Sequence, residues 1–111
     1  MDGLIIFSYA EKASDIAAKT KGLNGKHFHA LSGKKPHKLS QITGKHPSVK
    51  ESIRRLPLAD KYFAGIAKQV VNEKLQYVAF YCKHGHHRSV ACAAILQEDY
   101  FKHAKVKDLN L

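Results

Sequence analysis

The chain reads as one α/β domain, three-layered, with a small and mainly parallel sheet. Three observations predict this. Short apolar runs at 4–8 and 77–81 and an alternating one at 26–31 are interleaved with stretches whose apolar residues recur at helical spacing. Strands that alternate with helices pair in parallel, with the helices covering the faces. The 111 residues leave room for one core, so the domain is taken as 1–111.

The elements follow in order. Residues 4–8 form the first strand. The opening Met1-Asp2-Gly3-Leu4-Ile5-Ile6-Phe7 has no basic stretch before a long apolar one, so it is read as that strand and not as a secretory signal. Residues 11–21 place Ala13, Ile16, Ala17 and Thr20 on one helical face, and Gly22 and Asn24-Gly25 stop that helix. Residues 26–31 alternate as a second strand. Residues 32–47 carry glycines, prolines and lysines and read as a long loop. Ser48-Val49-Lys50-Glu51 fits a capping box that starts a short helix through Leu56. Pro57 opens a further helix whose apolar stripe is Ala59, Tyr62, Phe63, Ile66, Val70 and Val71, with Lys61, Lys68 and Glu73 outward. The strand at 77–81 runs into a loop and then a buried helix from Arg88 to about His103, and residues 106–111 supply a last edge strand.

Charge is the second strong signal. The formal net charge is +10. Residues 1–55 hold eleven Lys/Arg against four Asp/Glu, and residues 26–55 alone hold eight, with four histidines and the single acid Glu51. Lys34, Lys35, Lys38 and Lys45 crowd one loop and are the candidate nucleic-acid contacts, since a clustered positive field suits a polyanion such as RNA. No apolar run approaches the roughly 20 residues that cross a bilayer, and no membrane contact is expected. Two cysteines, Cys82 in the loop and Cys92 in the helix core, are too few for a disulfide framework and suit a reducing, cytoplasmic setting.

The chemistry concentrates in Cys82-Lys83-His84-Gly85-His86-His87-Arg88-Ser89. A strand, a tight loop and a helix N-terminus in that order aim unpaired backbone N–H groups at one spot. Arg88 adds a planar, two-pronged phosphate donor. The spacing H-x-H-H does not match a closed zinc site, so no metal or other cofactor is expected. Cys82 and Arg88 stand at Cys-x5-Arg spacing, which looks like the phosphate loop of cysteine-dependent phosphatases. That resemblance would make Cys82 the nucleophile and Arg88 the phosphate clamp, with Ser89 bonding the sulfur or capping the helix. Tyr81 and His87 depart from it, standing where those enzymes usually have histidine and glycine. Asp60, Asp99 and Asp108 are the few acids that could protonate a leaving group.

A second resemblance covers most of the chain. Tyr77-Val78-Ala79-Phe80-Tyr81-Cys82-Lys83-His84-Gly85-His86-His87-Arg88-Ser89-Val90-Ala91 is similar to the signature of the RapZ C-terminal domain family, an apolar strand followed by Cys-Thr-Gly-Gly-x-His-Arg-Ser-Val and a helix. Cys82, Gly85, His87, Arg88, Ser89 and Val90 match by position. Gln41-Ile42-Thr43-Gly44-Lys45-His46-Pro47-Ser48-Val49 resembles the family's Leu-Thr-Gly-x-x-Pro-x-Val stretch, and residues 106–111 fall in the expected order. Lys83-His84 replaces Thr-Gly, and His29-Ala30-Leu31 stands where the family has Asp-x-Arg.

The resemblance implies a free-standing binding domain without the P-loop kinase-like half, and no Walker sequence is present. Such a short basic form suits a phage or mobile-element protein. It implies a phosphorylated small molecule as ligand, glucosamine-6-phosphate in the family, and an RNA or endoribonuclease partner. The expected ligand contacts are Cys82, Lys83, His84, Gly85, His86, His87, Arg88 and Ser89, joined by Thr43 and Gly44. The sequence thus supports a basic, regulatory phosphate-binding module. A cysteine phosphatase and a purely protein-binding regulator on the same scaffold are the alternatives.

Overall fold

The computed structural model describes residues 3–12, 15–31, 43–83 and 87–111. Among these, β1 (Ile5–Ala10), β2 (Gly25–His29), β3 (Tyr77–Cys82) and β4 (Lys105–Asp108) form one sheet in the order β2-β3-β1-β4. Every pairing is parallel. The register sets Ala10 against Cys82, His29 against Tyr81 and Ser8 against Asp108, so all four strands finish at one edge of the sheet. The α/β expectation holds, and the sheet is wholly parallel.

Alternate side chains divide the sheet into two faces. Ile6, Val78, Phe80 and Cys82 face a large core built with α2 (Pro47–Arg54), α3 (Ala59–Glu73) and α4 (Arg88–Asp99). Phe80 is fully buried and lies against Phe28, Tyr62 and Phe63, with ring centroids 6.2–6.4 Å apart. Burial of such a ring contributes about 1.5–3 kcal/mol. Phe7, Tyr9, Tyr77 and Ala79 face the other way, under Ile16 of α1 (Ile16–Thr20), Leu23 and Leu109. Small side chains at Ala91, Cys92 and Ala93, all fully buried, let α4 lie close on the sheet.

Several elements differ from their expected bounds. α1 is a single turn, and Ala13, expected on its apolar face, lies outside the described residues. α2 begins at Pro47 with His46 as its cap, so Ser48 sits inside the first turn and the capping-box reading fails. Proline explains this: its ring presets helical φ at the first position and holds the preceding residue extended. His46 Nδ1 accepts the Ser48 N–H at 3.1 Å in the role expected of a serine.

α3 starts at Ala59, two residues after Pro57, and Val71 lies off the buried stripe, 59% exposed. α4 stops at Asp99, short of His103, because Phe101 folds back against the core and the Leu96 carbonyl accepts the Tyr100 and Phe101 N–H groups. Cys82, expected in the loop, is the last residue of β3.

The connections fix where a ligand can sit. From β1 the chain crosses by α1 on one face to β2; from β3 it crosses by α4 on the opposite face to β4. The two connections leave neighbouring strands in opposite directions, and parallel sheets bind ligands at the carboxyl end of such a switch point.

On the α1 side, His27 stands between two tyrosines. Tyr9 Oη lies 2.9 Å from its Nδ1 and Tyr77 Oη 3.0 Å from its Nε2. A Cβ at Gly25 would overlap the Tyr77 ring, so glycine there lets that ring lie across β2. Burial pushes the Tyr9 hydroxyl up to about 12, helped by Tyr81, Tyr77 and Glu11. Partial desolvation beside these rings also lowers the His27 imidazole below its ordinary value, although the residue is exposed.

The fold therefore favours neutral His27. Its contribution to stability is present above the unfolded value of about 6.5 and is lost as pH falls from there through the lower folded value. Chemical denaturation should show less loss of stability between about pH 7.5 and 5.5 in His27→Gln than in the parent; identical pH profiles would contradict this.

Candidate anion-binding site

The site is built from two turns that meet at the start of α4, just past the carboxyl end of β3. The first is the start of α4. Its cap, His87, makes no side-chain capping bond, so the first helical N–H groups are left to other partners. Ser89, fully buried, turns inward instead, and the Cys82 thiol donates to its hydroxyl oxygen at 3.2 Å. This bond ties the end of β3 to the first turn of α4. Arg88 and His87 are half-buried on either side of that turn, and Lys83 is exposed. His84, Gly85 and His86 lie outside the described residues.

The second turn is Thr43-Gly44-Lys45-His46. Thr43 closes it twice, its hydroxyl accepting the Lys45 N–H at 3.2 Å and its carbonyl the His46 N–H at 3.0 Å. Gly44 is buried, and a Cβ there would overlap the His87 carbonyl oxygen, the Ala91 nitrogen and the Val90 Cβ. Glycine therefore permits backbone-to-backbone contact with the start of α4. Gly44, 38 residues before Cys82, is thus brought against the start of α4.

An acid joins the same edge. Asp108, at the end of β4, accepts the Ser8 hydroxyl at 2.5 Å, and its second oxygen lies 3.9 Å from Lys45 Nζ. Next to it Asn110 Oδ1 accepts the Ala10 N–H at 2.7 Å. Lys45, Lys50, Val90, Gln97, Glu98 and Asp108 contribute to the lining of a cleft of about 320 Å3. The sequence offered Asp108 as one of three acids that could protonate a leaving group and gave Ser8 no role beyond the first strand. The parallel β1–β4 register that unites them had no local signal. Asp60 and Asp99 belong to α3 and α4, and Asp99 is occupied by Arg54.

α2 is held against α4 by ion pairs. Lys50 bonds Glu98 at 2.8 Å, and Arg54 reaches Asp99 with two nitrogens, at 3.0 and 3.2 Å, and Glu98 at 3.1 Å. The Lys50 bond, then Arg54, hold the Glu98 carboxyl below its usual range. Asp99, then Glu98, raise Arg54.

The basic 26–55 segment is accordingly less bare than its composition suggests. Lys26 pairs with Glu73 at 2.9 Å and Arg55 with Glu51 at 3.2 Å. Lys34, Lys35 and Lys38 lie outside the described residues, and Lys45 is the exposed lysine of the group beside the site.

Cys92 is wholly buried, and burial pushes its thiol up to about 12, the un-ionised state of a core cysteine. Among the described residues no group of three or more His, Cys, Asp or Glu side chains is placed to hold a metal ion. No helix among them is long and apolar enough to cross a membrane. Comparison with family models and with curated proteins finds no match to this chain.

Gly44→Ala should cost about 1–3 kcal/mol, because the new methyl meets backbone that cannot turn aside. Urea denaturation would show it, and an unchanged midpoint would mean that the turn does not pack on α4. Arg54→Ala should cost about 1 kcal/mol, with the deficit shrinking at high salt as expected of a partly exposed charge network. A salt-independent deficit would assign the loss to packing of the arginine stem.

Proposed function

We propose that the protein is a regulatory binding module that resembles the RapZ C-terminal domain family and holds a phosphorylated ligand at the start of α4. The ligand class is a sugar phosphate, inorganic phosphate or an RNA phosphate. The observation that carries the reading is the contact of Gly44 with the first turn of α4, which sets two backbone turns and Lys45 around one helix N-terminus. Helix N-termini favour anions through free N–H groups and the helix dipole. Arg88 supplies the paired donor that phosphate recognition uses, and the position lies at the sheet's switch point.

Binding is preferred over catalysis for a physical reason. Cys82 is 7% exposed, and Tyr81 and His87 stand where the phosphatase pattern has histidine and glycine; the Cys82–Ser89 bond fits either reading. The exposed Lys45 and the lysines at 34, 35 and 38 make RNA, or an RNA-processing protein, the natural larger partner.

Calorimetric titration with inorganic phosphate tests the assignment. Arg88→Ala should weaken binding at least tenfold, the loss of about 1.5–3 kcal/mol expected for a charged hydrogen bond. Unchanged affinity would remove the loop from the site. Turnover of p-nitrophenyl phosphate that disappears in Cys82→Ser would replace the binding reading with the phosphatase one.

A further inference from the structure

The face of the sheet opposite α2, α3 and α4 carries a second kind of surface. Here the described cover is α1, one turn long, with Leu23 and Leu109. Beyond that cover β2 presents His27 and His29, both exposed, and β3 presents the partly exposed Tyr81. The rings are held in place. His27 is fixed by hydrogen bonds between its two ring nitrogens and the Tyr9 and Tyr77 hydroxyls. His29 stands edge-on to Tyr81 at 5.2 Å and 77°, and Tyr81 in turn lies 5.6 Å from Tyr9.

Such a row on a globular surface has an ordinary explanation when the rings are buried, as Tyr9 and Tyr77 are. The histidines are not, and their spacing is suggestive. Residues two apart on a strand advance by about 6.6 Å and stand off the sheet on one side. That is close to twice the rise of about 3.4 Å between stacked bases.

Charge selects the occupant. Lys105 and Lys107 of β4 are exposed, and their register partners Ile5 and Phe7 place them on this same face. Glu11, just past β1, and Asp15, at the start of α1, are acids on this side. A second copy of a chain with a net charge of +10 would bring lysine against lysine. Rings on one edge strand and lysines on the other, across β3 and β1, suit a strand long enough to span the sheet that has both phosphates and free base faces. Paired bases in a duplex have no open face to offer.

We propose that His27, His29 and Tyr81 form a stacking surface for single-stranded nucleic acid, on the sheet face opposite α4 and independent of the ligand held at the start of α4. Bases lie against the rings in no fixed sequence, and Lys105 and Lys107 follow the backbone.

Fluorescence anisotropy with a labelled single-stranded RNA of about ten nucleotides tests this, beside a duplex of equal length and heparin as a polyanion without bases. The single strand should bind more tightly than the duplex, and His29→Ala and Tyr81→Ala should each weaken it about tenfold. His29→Tyr, which keeps a ring, should stay within about twofold of the parent. Thermal melts check that each variant folds. His29→Ala carries the test if Tyr81→Ala does not, because the His29 side chain is exposed. The proposal is overturned if the parent does not bind the single strand, if the duplex binds as well, if unlabelled heparin competes equally against parent and His29→Ala, or if both alanine variants bind like the parent.

Discussion

Ser89 has no solvent exposure, and the polar atom it buries is satisfied by the thiol at the end of β3. Burying an unpaired hydroxyl costs on the order of 1–3 kcal/mol, so this pairing constrains where α4 can begin. Once α4 starts there, its small residues settle onto β1 and β3, and its N-terminus is left at the carboxyl edge of the sheet. Gly44 then closes against the same turn from the other side. The site is the place where two chain segments far apart in sequence are both required to pack.

The remaining architecture supports that junction from a distance. The ion pairs of Lys50 and Arg54 with Glu98 and Asp99 fasten α2 along α4. α2 follows directly from the Gly44 turn, so anything that holds α2 in place also holds the turn. Fully parallel pairing matters equally. It sends Ala10, Cys82 and Asp108 to one edge, and among the described residues the opposite face carries one short helix and a set of aromatic rings. The two faces of the sheet thus differ in kind: one is packed under α2, α3 and α4, and the other, among the described residues, carries a row of rings.

Much of this was legible in the sequence, and the exceptions have physical causes. Strand runs such as Tyr77–Cys82 declare themselves because a buried parallel strand is apolar at nearly every position. The loop proposed to hold an anion drew attention because glycine, arginine and a following helix signal lie together. Helix starts were misplaced where proline governed: Pro47 took the first helical position, so His46 capped α2 in place of Ser48. The charge of the 26–55 segment was overstated because Glu73, Glu98 and Asp99 come to it from other elements. The Ser8–Asp108 bond and the Tyr9–His27–Tyr77 group depend on strand order, which periodicity does not encode. Both became readable only when β1 was found between β3 and β4.

The central claim is that the start of α4, with the Gly44 turn against it, is the anion site. Amide NMR during titration with inorganic phosphate addresses it residue by residue. The account predicts saturable shifts concentrated at Gly44, Lys45, Arg88 and Ser89, with His27 and His29 unmoved. Saturable shifts confined to other residues, or none at those four amides, would contradict it.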